Sequence, residues 1–175
     1  MSIKTIFLDR DGVINKEVKY LYKINDFKFI NGVFKTCLYF EKIGYRIIIV
    51  TNQSGISRGY YSETDYEILT NWMLGEFSKN GIDILDTIHC PHEKSNNCDC
   101  RKPKPGMFLI AKNKHAIDME KCWMIGDQES DIKAAYSAGI KNTILVRSGH
   151  LIDEINSKAK FILDSVNQST KIIKY

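Results

Sequence analysis

Five short apolar runs, each ending in a polar or glycine-rich turn, constrain this chain more than any other feature. They lie at 3–8, 45–50, 121–125, 142–146 and 160–163. They are rich in β-branched residues and lack the apolar–polar alternation of a half-exposed strand, so they read as strands covered on both faces. Between them lie helical patterns with readable limits. Val33, Cys37, Leu38 and Phe40 keep near-helical spacing, and Gly44 closes that segment. Ser62 and Asp65 form a capping box ahead of Tyr66, Leu69, Trp72, Met73 and Phe77, with Gly81 past the end. Pro105 suits the first turn of a helix reaching 111, and 130–138 ends at Gly139 in the same manner. Strand alternating with helix predicts an α/β fold with a doubly wound, mainly parallel, Rossmann-like sheet. At 175 residues, with no linker or repeat, the expected organisation is a single domain over 1–175. One segment, 88–105, is rich in Cys, His, Asn, Lys and Pro and reads as a loop inserted into the alternation.

Composition narrows the function classes. The net charge is +4 and the lysines are spread along the chain, which argues against a nucleic-acid partner. No run approaches the roughly 20 apolar residues needed to span a bilayer, and the first apolar run is stopped by Asp9, Arg10 and Asp11, unlike a signal peptide. The expectation is therefore a cytoplasmic protein, and, without a heptad or an extra apolar helix, a monomer.

In an open parallel sheet the reacting groups collect at the carboxyl ends of the strands. Three runs put polar clusters there: Asp9 and Asp11; Thr51, Asn52 and Ser54; and Asp127, with Asp131 nearby. Two carboxylates so close together repel unless a cation lies between them, and hard oxygen ligands suit Mg²⁺. Asp127 supplies a third point for that ion, giving Asp9, Asp11 and Asp127 as the expected magnesium ligands. A calcium loop fits less well, since Val13 stands where that pattern needs Asp or Asn. Asp131 by itself reads as a solvated residue early in a helix.

A second constellation lies in the 88–105 segment. Cys90, His92, Cys98 and Cys100 form Cys-x-His and Cys-x-Cys pairs, in which alternate side chains of an extended chain face the same way. Three cysteines and a histidine suit one tetrahedral zinc with no open position, a structural site rather than a catalytic one. His89 points the other way and reads as a bystander; Cys37 and Cys122 lie in apolar patterns and read as core.

The order of Asp9-Arg-Asp11-Gly12, Thr51, Lys102 and Gly126-Asp127 resembles the haloacid dehalogenase superfamily of phosphohydrolases. The resemblance implies Asp9 as nucleophile, Asp11 as general acid and base, Thr51 and Lys102 on the transferring phosphoryl group, and Asp127 on Mg²⁺. Residues 7–15, 51–59, the zinc cluster and 101–107 narrow it to the heptose 1,7-bisphosphate 7-phosphatases of that superfamily, over roughly 3–147. That family uses Mg²⁺, takes a sugar bisphosphate as substrate, and serves nucleotide-activated heptose for lipopolysaccharide or surface glycans. The implied fold is of the haloacid dehalogenase type, with a short zinc-binding loop at about 89–104 and no large cap domain. By position, the implied substrate contacts are Glu17, Val18, Lys19, Tyr20, Asn52, Gln53, Ser54, Arg101 and Gln128. Arg101 is the natural partner of a second phosphate, because its planar fork matches phosphate oxygens. Gln128 stands where the family often has lysine, one positive charge fewer. Histidinol-phosphate phosphatases share the plan and the zinc loop. A nucleic-acid 3′-phosphatase would need a basic groove with stacking aromatics, and a non-catalytic zinc-stabilised binding module would lack the nucleophile or the metal Asp. No motif specifies the α or β anomer at the 1-phosphate.

Overall fold

The computed structural model describes residues 3–174. The strands are β1 (Thr5–Leu8), β2 (Arg46–Asn52), β3 (Ile84–Cys90), β4 (Trp123–Gly126), β5 (Asn142–Val146) and β6 (Phe161–Leu163). They pair in parallel throughout, in the order β3-β2-β1-β4-β5-β6. The helices are α1 (Val33–Lys42), α2 (Glu63–Lys79), α3 (Gly106–His115) and α4 (Glu129–Ser137).

Pleating sends successive side chains of each strand to opposite faces. Ile6, Leu8, Ile47 and Ile49 face one way and pack with Val33, Cys37 and Phe40 of α1 and Leu69, Met73 and Phe77 of α2. Phe7, Ile48, Val50 and Met124 face the other way, against Met107, Phe108 and Ala111 of α3 and Ala134 and Ala135 of α4. Both sheet faces are therefore dry, which explains why the central strands carry no alternation. Each fully buried side chain of this size contributes about 1.5–3 kcal/mol.

The capping box forms as expected: Ser62 Oγ accepts from Asp65 N at 3.1 Å and Asp65 Oδ2 accepts from Ser62 N at 2.8 Å. Leu38 differs from its expected core position and is 42% exposed, on the outer side of α1. A larger difference concerns 88–105. Residues 84–90 form β3, so the alternation continues to Cys90 and the irregular loop starts only after it. β3 is an edge strand with most of its length half-buried, and Asp86 and His89 interrupt its apolar residues. An edge strand of that kind lacks the dense apolar run by which its partners were legible.

The strand order reverses beside β1, because the chain leaves β1 for β2 and β3 and returns on the other side to β4. The crevice at such a switch point, above the carboxyl ends, is where open α/β sheets bind ligands. Leu8 pairs with Ile49 on one side and Ile125 on the other, so Asp9, Thr51 and Asp127 all fall at the same edge.

Candidate active site

Asp9 lies at the floor of a cleft of about 380 Å³ at that edge. Its Oδ1 accepts from the Arg10 backbone at 2.8 Å and lies 3.0 Å from Lys102 Nζ. Lys102 is buried and also reaches Asp131 Oδ1 at 2.6 Å and the Val50 carbonyl at 2.9 Å. Those contacts account for all three protons of an ammonium group. Burial opposes the charge on Lys102, yet Asp131 and Asp9 raise its pKa above the ordinary 10.5. Burial holds the Asp9 carboxyl well above 3.8 against the pull of Lys102, with Asp131, Asp127 and Asp11 adding to the rise.

Asp131 is the residue whose place the sequence misjudged. It is buried, not solvated: besides Lys102, its Oδ2 accepts from the backbone N–H groups of Asp127 and Gln128 at 3.1 and 3.0 Å. Four positions separate it from Asp127, so the first turn of α4 brings the side chain back over the strand end. Gly126 permits this approach, since a Cβ there would lie 2.3 Å from Asp131 Cβ.

Carboxylate oxygens of Asp9, Asp127 and Asp131 lie within 4.8 Å of one another. Both oxygens of Asp131 are taken, whereas Asp127 Oδ1 is buried and has no hydrogen-bond partner. Burial, then the neighbouring Asp131, raises the Asp127 pKa, with His150 lowering it. A buried carboxylate oxygen without a donor, beside a second buried carboxylate, fits a hard divalent cation. Of the three expected magnesium ligands, the structure brings Asp9 and Asp127 together. The Asp11 carboxylate is turned aside. It binds Arg10 bidentately at 3.0–3.2 Å and accepts from Asn15 Nδ2 and Gln53 Nε2, each at 3.0 Å.

The other expected residues line the same cleft: Glu17, Val18, Lys19, Tyr20, Thr51, Asn52, Gln53, Ser54, Arg101, Lys102 and Gln128. Several hold their neighbours. Asn52 clamps the Lys102 backbone from both sides, accepting from its N–H at 3.1 Å and donating to its carbonyl at 3.2 Å. Gln53 donates to Thr51 Oγ1 at 2.9 Å as well as to Asp11, and accepts from the Tyr61 hydroxyl. Tyr20 has a φ of 57° and packs its ring on Tyr60 at 4.5 Å. Glu17 is half-buried, and burial followed by Asp11 raises its pKa.

Cys90, His92, Cys98 and Cys100 converge as expected. Five of the six pairs of their sulfur and Nδ1 atoms stand 3.1–3.6 Å apart, and all four atoms lie within 4.8 Å of one another. Zinc bonds of about 2.0–2.3 Å at tetrahedral angles place ligand atoms at close to that spacing. Cys90 ends β3, and its residue pairs with Asn52. From the same cluster, the His92 carbonyl accepts from Arg101 Nη1 at 2.9 Å. The cysteine loop is thereby joined to the two residues that hold Lys102 and Arg101 in the cleft.

His150 and Lys94 also line the cleft and were not foreseen. His150 follows β5, whose neighbour β4 ends just before Asp127, so its place past a strand end was the available signal. Its Nδ1 lies 2.6 Å from Asp127 Oδ2 and its Nε2 3.7 Å from Glu17 Oε1. Burial lowers the His150 pKa, but Asp127 and then Glu17 outweigh it and raise the group above 6.5.

Asp9 tied to buried Lys102 at the switch point of this sheet, with Thr51 and Asp127 at the neighbouring strand ends, is the arrangement expected of the haloacid dehalogenase class of hydrolases. A family model described as HAD-hydrolase-like matches residues 99–169. The D-glycero-alpha-D-manno-heptose-1,7-bisphosphate 7-phosphatase of Photorhabdus laumondii is 48% identical over 165 residues, 90% of each chain. The D-glycero-beta-D-manno-heptose-1,7-bisphosphate 7-phosphatase of Vibrio cholerae is 44% identical over 174 residues, 95% of this chain and 94% of that one. The chain belongs to the D-glycero-D-manno-heptose-1,7-bisphosphate 7-phosphatase family. In fold it is similar to D,D-heptose 1,7-bisphosphate phosphatase from B. bronchiseptica, complexed with magnesium and phosphate, with a TM-score of 0.85 over 97% of both chains at 24% identity. Among the described residues no helix is long and apolar enough to cross a membrane.

Proposed function

We propose that this protein is a magnesium-dependent phosphomonoester hydrolase that removes the 7-phosphate of D-glycero-D-manno-heptose 1,7-bisphosphate through an aspartyl-phosphate. It would serve nucleotide-activated heptose biosynthesis for lipopolysaccharide or surface glycan. The observation that carries this reading is Asp9 at the floor of the cleft, tied to buried Lys102 and beside the carboxylate of Asp127, whose Oδ1 has no partner. Relatives at 44–48% identity, named for this reaction, support it.

Asp9 and Asp127 would hold Mg²⁺. When bound, the ion offsets negative charge on the phosphate and on the attacking carboxylate. Asp9 Oδ attacks phosphorus, the bond to the sugar oxygen breaks, and Asp11 gives that oxygen its proton. Asp11 then takes a proton from the water that cleaves the aspartyl-phosphate, which releases phosphate and restores Asp9. Arg10, Asn15 and Gln53 keep Asp11 aimed for both transfers. Thr51 flanks the phosphoryl site, and Lys102 offsets the charge of Asp9 before attack. Arg101, with Lys94 on the same wall, receives the 1-phosphate. Glu17, Val18, Lys19, Tyr20, Ser54 and Gln128 surround the sugar.

Cys90, His92, Cys98 and Cys100 would hold a structural Zn²⁺, in a single phosphatase domain that works as a monomer. The reducing cytoplasm would be its compartment, keeping the three cysteine ligands available to the metal. A chelator that removes the zinc is expected to lower the melting temperature by several degrees and to reduce kcat/KM, because the loop carrying Arg101 and Lys102 loses its anchor. Unchanged melting after complete removal contradicts the structural role.

The deciding assay is phosphate release from both anomers of heptose 1,7-bisphosphate and from histidinol phosphate. The bisphosphates are expected to have a kcat/KM at least about 100-fold higher, since only they give Arg101 a second phosphate to bind. Equal values would sink the assignment of substrate. The ratio between anomers shows which heptose pathway the enzyme serves.

A further inference from the structure

Asp127 is entirely buried, and its two oxygens have opposite surroundings. Oδ2 accepts from the His150 backbone N–H at 3.0 Å and lies 2.6 Å from His150 Nδ1. Oδ1 is buried without a partner. The chain around Oδ2 is packed closely: a Cβ on Gly149 would stand 2.0 Å from it, and one on Gly12 would stand 2.4 Å away. Ser148 Oγ fixes that approach by donating to the Gly12 carbonyl at 2.6 Å. Hence the loop after β5 closes off one oxygen of Asp127 and leaves the other buried without a partner, in a carboxylate that clusters with Asp9.

An ionised carboxylate only accepts hydrogen bonds, so Nδ1 of His150 carries the proton toward Asp127. With Nδ1 turned to Asp127, Nε2 lies 3.7 Å from Glu17 Oε1, another residue lining the cleft. The imidazole thus spans from a ligand of the proposed cation to the loop expected to surround the sugar. A ligand carboxylate held in one rotamer by a directed hydrogen bond loses less freedom when the ion arrives, and loss of such a support typically weakens metal binding about 10–100-fold.

We propose that His150 is a positioning residue that sets the affinity of the Asp9–Asp127 site for a hard divalent cation, by locking Oδ2 of Asp127 and presenting Oδ1. This inference rests on the phosphatase reading, which supplies the cation. The role is independent of Lys102, which acts on Asp9 and Asp131 from the other side.

The test is Mn²⁺ binding to the full, substrate-free chain, followed by the loss of the free-ion paramagnetic resonance signal. His150→Ala is expected to raise the Mn²⁺ Kd about 10–100-fold. His150→Asn, whose amide nitrogen can occupy the place of Nδ1, is expected to recover to within about threefold of the parent. The histidine side chain is 43% exposed, so both variants should fold; His150→Ala, which takes a donor from buried Asp127, should melt somewhat below the parent without the ion, and His150→Asn, which keeps one, close to it. A Kd unchanged in His150→Ala overturns the inference, as does a His150→Asn variant as weak as the alanine. Failure of the phosphatase reading looks different: the parent chain itself then shows no saturable Mn²⁺ binding, and Asp127→Asn changes nothing.

Discussion

Asp9→Asn is expected to reduce phosphate release by on the order of 10⁵-fold while leaving the protein folded. The amide is nearly isosteric with the carboxyl, so the 3.0 Å contact to Lys102 and the bond from the Arg10 backbone can survive. It cannot form the covalent phosphoryl intermediate, and nothing else at the cleft floor replaces it. Folding should be unharmed, because the lost charge was an unfavourable one. Burial, Asp131 and Asp127 already hold the Asp9 carboxyl well above 3.8. Removing a charge the fold disfavours leaves the melting temperature equal to or above that of the parent. Acid-quenched reactions with labelled substrate should show phosphoprotein in the parent and none in the variant. Activity within tenfold of the parent would move the nucleophile elsewhere.

Lys102→Met should damage both stability and turnover. Methionine matches the lysine stem in length, so packing is largely kept, but Asp9 and Asp131 are left as buried carboxylates without their cation. Removing one partner of a buried ion pair costs about 3–5 kcal/mol. Loss of the charge beside the transferring phosphoryl group should reduce kcat/KM by about 10³-fold. The pH dependence has a definite sign. Without Lys102 the Asp9 pKa, already raised in the fold, rises further above its unfolded value. The folded state then holds protons that the unfolded state has released. Stability is therefore retained at low pH and lost as pH climbs through the raised value. Melting curves should place the variant nearest the parent at about pH 5 and furthest below it at about pH 8. In the double variant with Asp131→Asn, part of the stability should return while activity stays low. A gap independent of pH would mean that the loss comes from packing and not from charge.

Much of this could be seen in the chain itself. The dry runs at 3–8, 45–50 and 121–125 required a sheet covered on both faces, and the polar residues ending them required a crevice at one edge. The spacing of Cys90, His92, Cys98 and Cys100 was enough to bring the four together, because alternate residues of an extended segment share a side. β3 escaped notice because an edge strand is half solvated, and a solvated strand needs no dense apolar run.

What the sequence determined by itself is the chemistry available at each strand end: a carboxylate after β1, a hydroxyl in the last residues of β2 and a second carboxylate after β4. Local patterning carries that much, since solvent exclusion fixes which residues must be strand and which must follow it. Only the tertiary structure decided how those groups divide their bonds. It buried Asp131 against Lys102, turned the Asp11 carboxylate to Arg10 and Gln53, and brought His150 from the end of β5 onto Asp127. Such pairings depend on strand order and on the direction in which each buried charge finds its counterpart. Most of these partners, such as Lys102 with Asp131 and His150 with Asp127, are far apart in sequence, and their partnership is settled by the desolvation that packing imposes.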